Sequence, residues 1–224
     1  MKTPFTNLPF EEYQGIARIL FHLLSQYPDA QLIRDFIDND VPATWPAFAG
    51  DTGSREANRV GREALSHFLQ QWDDSQLTEL QLDYGQLFFG PGEPRAVPQG
   101  SVYLGEEQLL NDRSTVALMD FYKVHGVELK LPNHQPVDHI GFFFAVLDST
   151  LGRLAQERGN TELKQFVQLL LGKHLLPWSG RCLELAAEHA QTEFYFGVAL
   201  LAEDFLTQLS EDFSVVVTPA RLFR

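Results

Sequence analysis

One cysteine, Cys182, stands in 224 residues. That excludes an internal disulfide and a thiolate metal cluster, so nothing in the chain calls for an oxidising compartment, and a small core residue is the simpler reading of that side chain. Basic residues are scarce as well: 17 Lys and Arg stand against 30 Asp and Glu, a formal charge of −13. Such a surface repels a phosphate backbone, makes nucleic acid or anionic lipid a poor partner and favours basic ligands. Long apolar runs are missing too. The longest, residues 140–147 and 194–202, fall far short of the ~20 residues that span a bilayer. The opening MKTPFTNLPFEEYQ carries two prolines and two glutamates where a signal peptide needs an unbroken apolar stretch. A soluble, cytoplasmic protein without stable membrane insertion is expected.

What is present is helical periodicity over a 44% hydrophobic chain, long enough to bury a large core as one domain or two fused halves hinged near 126–137. Tyr13, Ile16, Ala17, Leu20, Leu23, Leu24 and Tyr27 keep the three-and-four spacing of one helix face, and Pro28 stops it. Further helices are predicted over 29–36, 54–72, 75–88, 115–125, 138–158, 161–176, 179–189 and 193–209, with Ser75, Ser114 and Asp138 as N-caps and Gly126 as a C-terminal stop. VPATWPAFAGDTGS and GPGEPRAVPQGS read as irregular loops, the second with three prolines and three glycines in twelve residues. Residues 213–224 form an extended, β-branched tail. The fold class is all-α, about nine helices with a long Pro/Gly-rich middle loop.

The chemistry concentrates in Pro136-Val137-Asp138-His139, placed directly before an apolar helix. An acid at a helix start accepts the free N–H groups of the first turn, so Asp138 reads equally as a cap or as part of a recognition site. Catalysis lacks a nucleophile: Ser101 in QGSVYL has no strand-turn-helix context. Metal binding by His125, His134, Asp138, His139 and His174 lacks the four-residue histidine spacing and any paired cysteine. His174 in GKHLLPW packs or bonds a carbonyl near a helix end, and Gly172-Lys173 is no phosphate loop. Binding of a segment of another chain survives. Tyr84, Leu87, Phe88 and Phe89, with Pro91, Pro98 and Tyr103, supply apolar surface for a groove, at least half of it core, and Asp83, Glu106, Glu107 and Asp138 as rim carboxylates would favour an arginine-bearing ligand.

LFFGPGEPRAVPQGSVYL at 87–104, PVDHIG at 136–141, HLLPW at 174–178 and VVVTPARLFR at 215–224, in that order and spacing, resemble the TorD/DmsD family of redox-enzyme maturation chaperones over nearly the whole chain. The likeness is strongest to the branch serving dimethyl sulfoxide reductase. The resemblance implies a cytoplasmic, non-enzymatic, all-helical chaperone that binds the twin-arginine leader of a molybdopterin oxidoreductase subunit until its cofactor is inserted, with the Tat translocase as a further partner. It implies no resident cofactor, only weak guanine-nucleotide binding. Its leader-binding positions fall on Tyr84, Leu87, Pro98, Gly100, Ser101, Gln135, Pro136, Asp138 and His139, beside Phe88 and Tyr103 from the groove reading. Gly92 and Gln99 stand where relatives can carry tryptophan, and Gln135 where glutamate is usual.

Overall fold

The spaced apolar residues become helices in this computed structural model, which describes residues 4–47, 52–90, 92–129 and 135–224. The α-helices are α1 Phe10–Ser25, α2 Ala30–Asp38, α3 Val41–Thr44, α4 Thr52–Gln70, α5 Leu77–Tyr84, α6 Gly100–Leu104, α7 Arg113–Val124, α8 Ile140–Gln156, α9 Thr161–Leu169, α10 Leu176–His189 and α11 Glu193–Asp212. The all-α expectation holds, and the one strand-like pairing among the described residues is an isolated antiparallel bridge between Gln99 and His139. No helix among the described residues is long and apolar enough to cross a membrane. Pro91 and His134, weighed above as groove and metal candidates, lie outside the described residues.

The chain divides into two compact units: Met1–Ser25, Pro98–Gly180 and Leu209–Arg224 in the first, Gln26–Val97 and Arg181–Gln208 in the second. In the first, α1 packs along α8. α1 buries Tyr13, Ile16, Ala17, Leu20, Leu23 and Leu24, and α8 buries apolar groups on nearly every side, including Phe142, Phe143 and Phe144. Burial of such a side chain contributes ~1.5–3 kcal/mol, so this seam dominates the unit. At its edge Gln14 and Arg18 both donate to Asp148, at 2.9 and 3.0 Å. Asn160 caps α9 by accepting the Leu163 N–H at 3.0 Å. The chain then widens into a π-helical turn, Leu170–Leu175, before α10. The closing residues are extended as expected and cross this unit: the Thr218 N–H donates to Gly172 O at 2.8 Å and the Phe223 N–H to Tyr103 O at 2.9 Å.

In the second unit, Asp29 caps α2 through the Leu32 N–H at 2.8 Å. α4 and α11 meet at Gly61 and Gly197, where a methyl on Gly197 would lie 2.7 Å from the Gly61 carbonyl oxygen. α5 widens into a second π-helical stretch, Gly85–Phe89.

Three N-caps differ from the sequence reading. Asp73, not Ser75, closes a capping box with Gln76 ahead of α5. α7 begins at Arg113, with Asp112 in the cap position, so Ser114 is already helical. α8 begins at Ile140 with His139 as its cap, so Asp138 does not open that helix. Two short helices, α3 and α6, also occupy segments expected to be loop. Gly126, at φ 65°, does sit just past the end of α7 as a glycine stop should.

Candidate functional site

The site lies in the first unit, where the two motif segments meet. The Gly100 N–H donates to Asp138 O at 3.1 Å and the Ile140 N–H to Pro98 O at 2.7 Å, which ties PQGSVYL to PVDHIG backbone to backbone. Asp138 Oδ2 then accepts the Ser101 N–H at 2.7 Å. Asp138 is a cap after all, but of α6 rather than of its own neighbouring helix, and it takes the N–H groups of the first two residues of that five-residue helix. A helix so short has no stability of its own. Asp138 therefore supplies part of what its sequence does not.

His139 caps α8 in a different way. Its Nδ1 accepts the Gly141 N–H at 3.1 Å, which requires the proton on Nε2. Burial pushes its pKa down to about 4, so the ring is neutral at pH 7. Gly141 has no side chain because there is no room: a methyl there would lie 2.8 Å from Ser25 Cβ.

Asp138 is 3% exposed, yet its Oδ1 has no hydrogen-bond partner, and neither do the buried hydroxyls of Ser101 and Tyr122. Burial and the nearby Asp138 carboxylate both raise the Tyr122 hydroxyl pKa, so it stays protonated. An unpaired buried carboxylate oxygen costs at least ~1–3 kcal/mol. Asp138 lines a cavity of about 120 Å³ whose other walls are Gly100, Leu104, Phe143 and Trp178, with Ser114, Lys173 and His174 beside them. The indole is fixed: Trp178 Nε1 donates to His174 O at 2.7 Å, its ring stacks on Tyr103 at 5.6 Å, and Phe143 meets it edge-on at 6.1 Å. A rigid, mostly apolar cavity with one free carboxylate oxygen has the chemistry to hold a single cationic head group.

Of the residues singled out in the sequence, Pro98, Gly100, Ser101, Tyr103, Asp138 and His139 come together here, with Gln135 and Pro136 half-buried just before them. Tyr84, Leu87 and Phe88 are buried in the second unit. There Tyr84 packs on Tyr27 at 4.7 Å, on Phe88 at 5.5 Å and on Tyr195 at 5.8 Å, while Phe89 stays largely exposed. These rings are core, as expected for at least half of that apolar surface. Asp83 is also no rim carboxylate: it is 2% exposed and accepts from the Gln191 and Thr192 N–H groups and the Thr192 hydroxyl at the start of α11. Asp138 likewise sits inside, not at a rim. Gly92 has φ 107°, a conformation open to glycine and strained for a residue with a side chain. Among the described residues no group of three His, Cys, Asp or Glu side chains is placed to hold a metal.

Sequence reasoning assigned no binding role to Lys173 or Trp178 and left His174 to packing or a carbonyl bond, although GKHLLPW spans all three. A tryptophan one residue after a proline in an apolar run was the available signal.

The family model for the nitrate reductase delta subunit matches residues 52–184. Among curated proteins, the chain is 28% identical over 223 residues to the Tat proofreading chaperone DmsD of Salmonella typhimurium, covering 98% of this chain and 99% of that one. It is 32% identical over 141 residues to the probable Tat proofreading chaperone DmsD of Haemophilus influenzae, covering 63% and 65%. The chaperone protein TorD of Aliivibrio salmonicida is 29% identical over 141 residues, covering 62% and 65%.

Proposed function

The chain belongs to the nitrate reductase delta subunit family, and from that membership we propose that it is a redox-enzyme maturation chaperone that binds the twin-arginine leader of a molybdopterin oxidoreductase catalytic subunit. The observation that carries this reading is the end-to-end likeness to a protein named as a Tat proofreading chaperone. A client like dimethyl sulfoxide reductase is favoured over a TorD-type client, because the likeness to the Salmonella DmsD runs over 98% of the chain while the TorD proteins of Aliivibrio salmonicida and Vibrio vulnificus cover 62% and 79% of it. The protein works by holding and releasing, in the cytoplasm, and delivers its client to the Tat translocase.

Within this reading, the cavity at Asp138 receives one leader arginine. Its Oδ2 stays on α6 and its Oδ1 takes a guanidinium N–H, a charge-assisted bond about twice as strong as a neutral one. A bound leader is hidden from export, and release follows when the folded, cofactor-loaded client no longer presents it well, a shift set by differential affinity. Micromolar binding, about 8 kcal/mol, suffices.

The test is co-purification with a twin-arginine precursor, native or with both arginines changed to alanine. Recovery of the native precursor alone supports the reading. Equal recovery of both shows that the arginine pair is not what is read.

A further inference from the structure

Pro177 has no N–H, and in a regular α-helix its ring would crowd the carbonyl four residues back, that of Lys173. The backbone there is widened into the π-helical turn Leu170–Leu175, a departure found often at functional positions. That turn brings Lys173 and His174 to the wall of the Asp138 cavity. Among its lining residues Asp138 is the one carboxylate and Lys173 the one amine. Lys173 is exposed, and none of the ion pairs among the described residues involves it. His174 is no alternative cation: burial, with Lys173 adding to it, pushes its pKa to about 4.

We propose that Lys173 is a specificity-determining residue, the resident counter-cation that competes with a ligand's guanidinium for Asp138 Oδ1. The proposal rests on the reading that this cavity receives a leader arginine. A lysine ammonium is a compact, strongly hydrated charge on a flexible four-carbon stem, whereas guanidinium is planar, weakly hydrated and carries several donors at fixed angles. Lys173 stands at the cavity wall without an ion pair to Asp138 in this structure; its flexible stem lets it swing toward the Oδ1 oxygen and yield to an arginine that fits the cavity. A basic segment without arginine gains nothing over the lysine already there. The same competition subtracts from leader affinity, which suits a protein that must let its client go.

Calorimetry on the full chain with a synthetic twin-arginine leader peptide tests this, with circular dichroism as a folding control. Lys173→Gln is expected to bind about five- to tenfold tighter, about 1–1.4 kcal/mol, because the two side chains are coupled through one shared cavity. Lys173→Arg keeps the competing charge and is expected to show no gain. In an Asp138→Asn background the Lys173→Gln gain is expected to vanish. Equal or weaker binding by Lys173→Gln, while Asp138→Asn alone binds more weakly than the unaltered protein, overturns the competitor role and leaves the arginine site standing. Unchanged binding by Asp138→Asn overturns both.

Discussion

The α-carbon of Gly100 rests against the indole of Trp178: a methyl group at that position would lie 2.6 Å from both Cε2 and Nε1. The indole has nowhere to go, held by the His174 carbonyl and by stacking on Tyr103. Gly100→Ala is therefore expected to cost ~1–3 kcal/mol by overpacking, read as a lower urea midpoint, and to weaken leader binding because α6 must shift. Gly15 is the control. It lies within α1 with nothing within 4 Å of its own methyl position, so Gly15→Ala is expected to hold or raise stability by up to ~1 kcal/mol.

Two changes at Asp138 separate its roles. In Asp138→Asn the side-chain carbonyl still accepts the Ser101 N–H and the amide faces the cavity. The fold is expected to survive with a stability change below ~1 kcal/mol, while leader affinity falls about tenfold as a charge-assisted bond is lost. Asp138→Ala strands the Ser101 N–H in the interior and is expected to cost ~1–3 kcal/mol. Urea denaturation beside calorimetry distinguishes the two; equal destabilisation by both variants would make the charge, not the cap, the structural contribution.

The contrast between α8 and α6 marks how far the sequence could be read. α8 carries its own pattern, with apolar residues throughout and a small residue where Ser25 approaches, so its existence was legible and its start was misplaced by two residues. The error has a cause: Asp is a better N-cap than His by composition, and only the approach of PQGSVYL diverts Asp138 to another helix. α6 carries no such pattern. It follows a breaker-rich loop and exists because Asp138 takes two of its N–H groups and the closing segment takes its Tyr103 carbonyl. Contacts from residues 37 and 120 positions away leave no local signal. Asp83 misled in the same way, since its partners at Gln191 and Thr192 lie over a hundred residues on.

Cys182 is fully buried, with its Sγ 3.5 Å from the Val97 carbonyl oxygen. Reaction with a thiol reagent requires access. Labelling of the folded protein with a disulfide-exchange reagent is expected to be slower than in denaturant by on the order of a hundredfold or more, because it must wait for local opening. Comparable rates in both conditions would place the thiol at the surface.

His139 predicts how stability depends on pH. Its folded pKa of about 4 lies below the ordinary value of 6.5, with burial the cause. Between those values the unfolded chain takes up a proton that the native ring refuses, so stability present above pH 6.5 is lost as pH falls toward 4, with a slope of at most ~1.4 kcal/mol per pH unit for one group. Protonation also turns Nδ1 into a donor facing the Gly141 N–H, which removes the cap of α8. His174, also at about 4, titrates in the same window and keeps part of the loss in any variant of His139. Asparagine is a good N-cap without a titration there, so His139→Asn is expected to match the unaltered protein at pH 7 and to lose less stability at pH 5. Urea midpoints at the two pH values measure this. Parallel losses in both proteins would mean that the native ring takes up its proton as readily as the unfolded chain does, and the burial-lowered pKa of His139 would have to be abandoned.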